Sequence, residues 1–314
     1  MNNTSKTIFN DQRIVSLRGI KNSVDPGRPY AFLIEKEKAV SGRIEDVATI
    51  FLTNSECPFK CLMCDLWKNT TDTPVQIGKI PEQIKWALEQ LPKSNQIKLY
   101  NSGNFFDKKA IPPEDYGEIT QLLTEFKSVT IECHPRLINH RCLDFAHMLE
   151  GDLEVAIGLE TVHPEILPLL NKKMELQDFE SSVKFLGDNG IRTRAFILLK
   201  TPFMTEEEGV FWAKKSIDFA FKCGVECCSV IPTRAGNGAL DRLMGNGLFR
   251  EPTIFSLEEV MEYAIGLEKG RVFADLWDLE RFSTCDQCFD RRKQRLNEMN
   301  HSQQSIPGVD CICS

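Results

Sequence analysis

The stretch VATIFLTNSECPFKCLMCDLW (Val47–Trp67) runs from a β-rich segment, Val47–Leu52, directly into a loop carrying Cys57, Cys61 and Cys64. The spacing C-x3-C-x2-C lets three thiolates converge on one inorganic cluster, and Pro58 keeps the loop from continuing as regular structure. A 4Fe–4S cluster usually takes four Cys ligands. Three cysteines therefore leave one iron open to a ligand from outside the chain. A structural zinc site would want a fourth residue nearby, and the adjacent Asp65 is an uncommon ligand for that purpose. Three buried cysteines with a packing role are the plain alternative.

Outward from this loop, short β-rich runs alternate with amphipathic stretches at helical period. The strand candidates are Val47–Leu52, Ile97–Asn101, Val129–Cys133, Leu153–Leu159, Ile191–Leu199 and Cys227–Ile231. Helices are predicted near Pro81–Leu91, Glu114–Phe126, Arg141–Leu149, Leu176–Leu186, Thr205–Lys222 and Leu257–Leu267. Pro81 suits a first helical turn, Thr205 with Glu208 forms a capping-box pattern, and Gly190 and Gly224 sit where helix C-caps belong. Six strands alternating with helices predict an α/β chain with a parallel sheet and right-handed crossovers. An open doubly wound sheet and a partial α/β barrel both satisfy the pattern, and both bind ligands at the carboxyl ends of the strands. The chain divides into an irregular N-terminal wrap at 1–45, broken by Pro26, Gly27 and Pro29 and with room for a hairpin. A repeat at 46–270 and a C-terminal extension at 271–314 follow. The extension contains a last apolar run, Val272–Trp277, and a Cys-bearing polar tail expected to pack against the barrel.

Composition limits the function classes. The chain has 314 residues, 42% hydrophobic and 26% charged, an ordinary globular balance rather than a disordered one. The formal charge of −7 offers no global basic field for nucleic acid. Twelve cysteines are too dilute for a disulfide scaffold. The opening residues contain no apolar core long enough for a secretory signal, and no stretch approaches the roughly 18 apolar residues of a membrane span. The expectation is a soluble cytoplasmic protein without a membrane partner, in which grouped cysteines mean metal or redox chemistry.

The C-x3-C-x2-C loop after the first strand of an α/β repeat resembles the radical SAM superfamily. That resemblance implies a partial TIM-like (β/α)6 barrel, a 4Fe–4S cluster on Cys57, Cys61 and Cys64, and S-adenosylmethionine (SAM) bound to the open iron. It also implies reductive cleavage of SAM to a 5′-deoxyadenosyl radical that takes hydrogen from a substrate, with electrons from a donor such as flavodoxin or ferredoxin. Met63 falls where the family places a bulky residue, often against the adenine. YNSGNFFD (Tyr100–Asp107) looks like the loop that meets the SAM amine, written differently from the usual Gly-Gly-Glu form, and implicates Ser102, Gly103 and Asn104. GLET (Gly158–Thr161), AFILLKTPFMTEEE (Ala195–Glu208) and SVIPTRAGNG (Ser229–Gly238) resemble strand ends of a subgroup that includes the Elongator catalytic subunit and the archaeosine synthase radical subunit. The resemblance covers about residues 45–240. The cysteine loop is shorter than in the archaeosine enzyme.

Side chains alternate along a strand, so Glu160 shares a face with Gly158 and Ala156, and two small residues beneath a carboxylate leave room for a ligand. Glu160 is assigned to the ribose or amino group of SAM; a helix-facing surface position is the alternative. Arg192, Arg194 and Lys200 share a face of the next strand. Arg194 is a candidate for the SAM carboxylate, since guanidinium gives a bidentate fit, and Lys200 for SAM or substrate. The opposite face, Thr193, Ala195, Ile197 and Leu199, is equally plausible as barrel interior. His134 is either an acid/base contact or a satisfied loop residue. Cys133, Cys142, Cys223, Cys227 and Cys228 fit as small buried hydrophobes.

In the tail, Cys285-x2-Cys288 is followed after a long spacer by Cys311-x-Cys313. Paired cysteines across a spacer signal a metal site. The C-x-C half departs from the zinc-ribbon pattern, so a second 4Fe–4S cluster is placed slightly ahead of zinc. Between the pairs, DRRKQR (Asp290–Arg295) offers either an RNA or phosphate contact or a solvated helix face. Three functions stay open: a radical enzyme acting on a tRNA nucleoside, one acting on a small metabolite or peptide, and a non-catalytic iron–sulfur or zinc protein.

Overall fold

A computed structural model describes residues 9–313. Residues 1–8 of the expected N-terminal wrap, and Ser314, lie outside the described residues. One eight-stranded sheet runs in chain order through β1 (Ala31–Lys38), β2 (Ile44–Phe51), β3 (Gln96–Tyr100), β4 (Ser128–Cys133), β5 (Asp152–Glu160), β6 (Arg192–Leu199), β7 (Cys227–Pro232) and β8 (Arg271–Ala274). β1 and β2 form an antiparallel hairpin, and every other neighbouring pair is parallel. The sheet curls into an open half-barrel. All six predicted strands are present. β1, from the wrap, and β8, from the last apolar run, extend the sheet at its two edges. No helix among the described residues is long and apolar enough to cross a membrane.

The alternation along the strands sorts side chains into two layers. Val155, Ile157 and Leu159 of β5 and Ala195, Ile197 and Leu199 of β6 join one continuous apolar core with residues from the helices. That core includes Ile84 of the Lys79–Gln90 helix, Phe179 of Leu176–Asp188, Ile217 of Glu206–Cys223 and Met261 of Ile254–Gly266. Local signals agree with packing. Thr205 and Glu208 form the reciprocal cap at 3.2 and 2.8 Å, and Gly224 closes the same helix with φ +99°.

The other layer faces the barrel interior and carries charge near the amino ends of the strands. Arg194 donates to Glu37 on β1 at 2.5 Å and to Glu154 on β5 at 2.8 Å. Lys98 on β3 meets Glu37 at 2.5 Å, and Arg271 on β8 meets Glu154 at 2.9 Å. Burial alone would raise the Glu37 carboxyl, yet Arg194 and Lys98 hold it well below the usual range. This network forms the floor of the barrel, and removing one partner would leave an uncompensated buried charge.

β8 is an edge strand, and side chains cover it. Asn300 accepts from the Ala274 N–H at 2.8 Å and donates to its carbonyl at 2.9 Å. Gln303 does the same for Val272, at 2.7 Å in both directions. Both lie at the end of the Asp286–Ser302 helix or just beyond it. Two amides thus give the last strand the bonds that another strand would otherwise supply.

Candidate functional site

The cysteine loop leaves β2 and is held from two sides. The Leu62 N–H donates to the Leu170 carbonyl at 2.8 Å. Asn171 donates to the Lys60 carbonyl at 2.7 Å. Asn237, beyond β7, donates to the carbonyls of Leu62 and Cys64 at 2.8 and 3.2 Å. Loops following β5 and β7 therefore fix the three cysteines against the barrel mouth. Burial pushes the Cys61 thiol up to about 12 and raises Cys57 and Cys64 as well, so their thiolates need a cationic partner. Met63 is half-buried and packs against the apolar cluster of Phe9, Ile14, Leu62 and Leu240.

The loop after β3 lies against these cysteines. The Asn104 amide donates to Cys57 Sγ at 3.1 Å. A side chain on Gly103 would stand 3.3 Å from Cys57 Cβ, so glycine permits the approach. Ser102 turns the chain at φ +51° and bonds Tyr30 Oη at 3.1 Å. Behind the turn, the Glu132 carboxyl accepts the Asn101 N–H at 2.6 Å. Burial pushes that carboxyl up to about 7, while the N–H groups of Asn101, Gly103 and Ser102 pull it down. The Asn101 side chain is buried with neither amide atom bonded.

His134 is a satisfied residue. Its Nε2 donates to the Lys172 carbonyl at 2.9 Å, and its Nδ1 accepts from the Arg136 N–H at 3.2 Å. Phe59 stacks on the ring with centroids 3.8 Å apart. Burial, then the nearby Lys172 ammonium, depress the imidazole to about 3 and keep it neutral.

Glu160 is buried rather than helix-facing. It ends β5 at a register shift, with φ +64°, and its carboxylate pairs with Lys172 Nζ at 2.6 Å. Gly158 leaves the space this pair occupies: an added Cβ there would fall 2.2 Å from Glu160 Oε1 and 2.4 Å from Lys172 Nζ. Lys172 acts electrostatically on Cys61 and Cys57 as well as on Glu160. Arg194 does face the interior, at the floor, and its partners are Glu37 and Glu154. Lys200 (φ +56°) pairs with Glu206 and packs its stem beside Gly209, both in the helix after β6. Thus Cys57, Cys61, Gly103, Asn104 and Glu160 gather around Lys172 and the cysteine loop, whereas Arg194 and Lys200 have protein carboxylates of their own.

No family model matches the chain. An uncharacterised protein of Methanocaldococcus jannaschii is 24% identical over 313 aligned positions, covering 92% of this chain and 86% of that protein. Archaeosine synthase subunit beta of Thermococcus kodakarensis is 28% identical over 65% of this chain, and that of Methanosarcina acetivorans 26% over 65%. The chain spans 66% and 61% of those two relatives. Among solved structures, Elp3 of Methanocaldococcus infernus matches with TM-score 0.50 and 16% identity over 62% of this chain and 51% of its own. Methylornithine synthase matches with TM-score 0.53 and 13% identity over 85% and 76%. The fold is the radical SAM barrel. 

Outside the radical SAM barrel mouth, Cys285, Cys288, Cys311 and Cys313 bring their four sulfurs within 4.8 Å of one another. Cys285 and Cys311 are 3.8 Å apart, and Cys288 and Cys313 are 3.5 Å apart. The basic run between the pairs divides: Arg291 and Lys293 lie on an exposed helix face, while Arg292 and Arg295 are buried. Arg291 donates to the Asp310 carbonyl and Arg292 to Val309, each at 3.2 Å, while Arg295 donates to Ile306 and Pro307 at 3.0 and 2.9 Å. These arginines clamp the C-terminal segment onto their own helix. Cys133, Cys142, Cys227 and Cys228 are buried, and Cys223 half-buried, as packing residues would be.

Two groups around the barrel mouth escape a sequence reading. Lys172 lies twelve residues past Glu160, across a turn with left-handed residues at Asn171 and Lys173. Asn237 lies in the Gly-rich segment after β7, inside the SVIPTRAGNG stretch, which marked a strand end without singling out this side chain.

Proposed function

We propose that this chain is a radical SAM enzyme, with a 4Fe–4S cluster on Cys57, Cys61 and Cys64. The observation that carries the proposal is three thiols on one half-buried loop at the carboxyl end of β2, clasped from after β5 and β7 in a barrel of this fold. The residues fit such a group and its ligand. One loop supplies three sulfur donors, Gly103 opens the approach to Cys57, and the buried Asn101 amide has both polar atoms unbonded.

Cys57, Cys61 and Cys64 would hold the cluster, which would supply the electron for reductive cleavage of SAM. The chain binds and orients. Glu160, held by Lys172 at 2.6 Å, presents its remaining acceptor capacity to the ribose hydroxyls or amino group of SAM. Ser102, Gly103 and Asn104 border the cysteine loop on the β3 side, and Met63 borders it on the side assigned to adenine. Lys172 stabilises thiolate charge at Cys57 and Cys61. Arg194 and Lys200 are given positioning work, at the floor and in the helix layer. A one-electron donor such as flavodoxin or ferredoxin completes the system. A tRNA nucleoside is the favoured substrate, supported by similarity to archaeosine synthase subunit beta at 28% and 26% identity.

Anaerobically reconstituted protein with SAM and a strong reductant should yield 5′-deoxyadenosine, and the Cys57/Cys61/Cys64→Ala variant none. Equal yields from the two would end the proposal. Nucleosides from tRNA of wild-type and gene-deleted cells, compared by mass spectrometry, test the substrate. An unchanged profile would shift the choice to a small metabolite or peptide.

A further inference from the structure

We propose that Cys285, Cys288, Cys311 and Cys313 bind a single zinc ion that buckles the C-terminal segment to the Asp286–Ser302 helix. The distances decide between the metals that four thiolates take. Zinc–sulfur bonds of ~2.3 Å put the sulfurs of a tetrahedral site about 3.8 Å apart. Cys285 and Cys311 stand 3.8 Å apart and Cys288 and Cys313 3.5 Å, and no pair of the four sulfurs exceeds 4.8 Å. A 4Fe–4S cubane interposes irons and sulfides and spreads its cysteines to on the order of 6 Å. The four tail thiols stand too close for it, so the slight preference for an iron–sulfur cluster drawn from the sequence is reversed.

The surroundings suit a charged thiolate centre. Arg292 Nε donates to Cys288 Sγ at 3.3 Å, and the same guanidinium is held by Glu258 at 2.5 Å. A donor that is itself anchored fixes a ligand and disperses its charge. Cys285 caps the amino end of the helix, where the helix dipole favours negative sulfur. Arg291, Arg292 and Arg295 pin carbonyls from Ile306 to Asp310, which sets Cys311 and Cys313 over the other pair. All four ligand positions come from the protein, which marks a closed structural site rather than a catalytic one.

The site does not depend on the proposed activity. The test uses the full-length Cys57/Cys61/Cys64→Ala variant, in which metal at the barrel mouth cannot contribute. Elemental analysis should find about one zinc per chain and no acid-labile sulfide. Zinc should fall at least tenfold when Cys311→Ser and Cys313→Ser are added. Replacement by Co(II) should give the intense visible bands of a tetrahedral thiolate site. In the otherwise wild-type chain, releasing the zinc with a mercurial and a chelator should speed proteolytic cleavage beyond Gln303, a readout that needs no variant to fold. Iron with equimolar sulfide, one iron without sulfide, or four tail thiols that react freely in a metal-free chain would each overturn the proposal.

Discussion

The two groups of cysteines in this chain are built by opposite routes. At the barrel mouth, three thiols come from one short loop, and segments more than a hundred residues away hold it in place. In the tail, four thiols come from two short segments, and the helix between them supplies most of the clamps. The first set is half-buried and offers three thiols. The second runs from the buried Cys288 to the exposed Cys313 and offers four. Closed sites hold structure, and sites with an open position do chemistry. Ligand count and surroundings point the same way here: the three-thiol set is walled by Glu160, Lys172 and an unbonded Asn101 amide, and the four-thiol set is walled by its own arginines.

The contrast breaks most readily at the barrel mouth. The Cys57/Cys61/Cys64→Ala variant should lose 5′-deoxyadenosine formation by on the order of a thousandfold or more, since no other three-thiol loop exists to replace it, while keeping its tail metal. Loss of both would mean that the two sites are one cooperative unit. Next in size is Lys172→Met, which strands the Glu160 carboxylate in the interior. Stability should fall by about 3–5 kcal/mol in urea denaturation, and a loss under 1 kcal/mol would show that Glu160 reaches water.

A smaller effect separates the sites by pH. His134 is depressed to about 3 from its ordinary 6.5, so the unfolded chain takes up a proton that the folded chain refuses. Its contribution is present above pH 6.5 and is lost as pH falls toward 3. Near pH 5 the deficit should be about 2 kcal/mol. His134→Gln should flatten that part of the profile, and an unchanged slope would remove the histidine from the account. Smallest is Arg291→Ala. It drops one exposed hydrogen bond to the tail and should change stability by no more than about 0.5 kcal/mol. A larger loss would mean that the arginine clamps, rather than a metal, hold the segment.

Periodicity made the six parallel strands legible, because each buries one face against helices and exposes a clear apolar run. β1 is harder to read. Glu35 and Glu37 interrupt Ala31–Lys38 with charge, and the reason lies on strands far away in sequence, where Lys98, Arg194 and Arg271 wait for carboxylates. Arg194 shows the same limit from the other side. Alternation left either face of its strand as the barrel interior, and a guanidinium facing inward fits a ligand or a neighbour equally well until Glu37 and Glu154 are placed beside it. The cysteine spacing carried the barrel-mouth loop. It could not carry Lys172 or Asn237, whose contribution comes from where the turns after β5 and β7 fold back. In the tail, spacing revealed the four thiols but not the metal, which depends on distances between sulfurs. The arginine run looked like a surface feature because its partners are backbone carbonyls of the tail and carboxylates of a neighbouring helix more than thirty residues away, Glu258 and Glu262, neither of which the run itself reveals.

The amides that cover β8 also give the protein a site of chemical ageing. Asparagine hydrolyses slowly to aspartate, and at Asn300 that would exchange the nitrogen that donates to the Ala274 carbonyl at 2.9 Å for an oxygen that repels it. The Ala274 N–H would keep its acceptor, but half of the mimicry would be gone. An aged molecule would then carry one unpaired carbonyl on its strand edge, beside the Val272 that Gln303 still covers, so this amide is where ageing would first loosen the sheet.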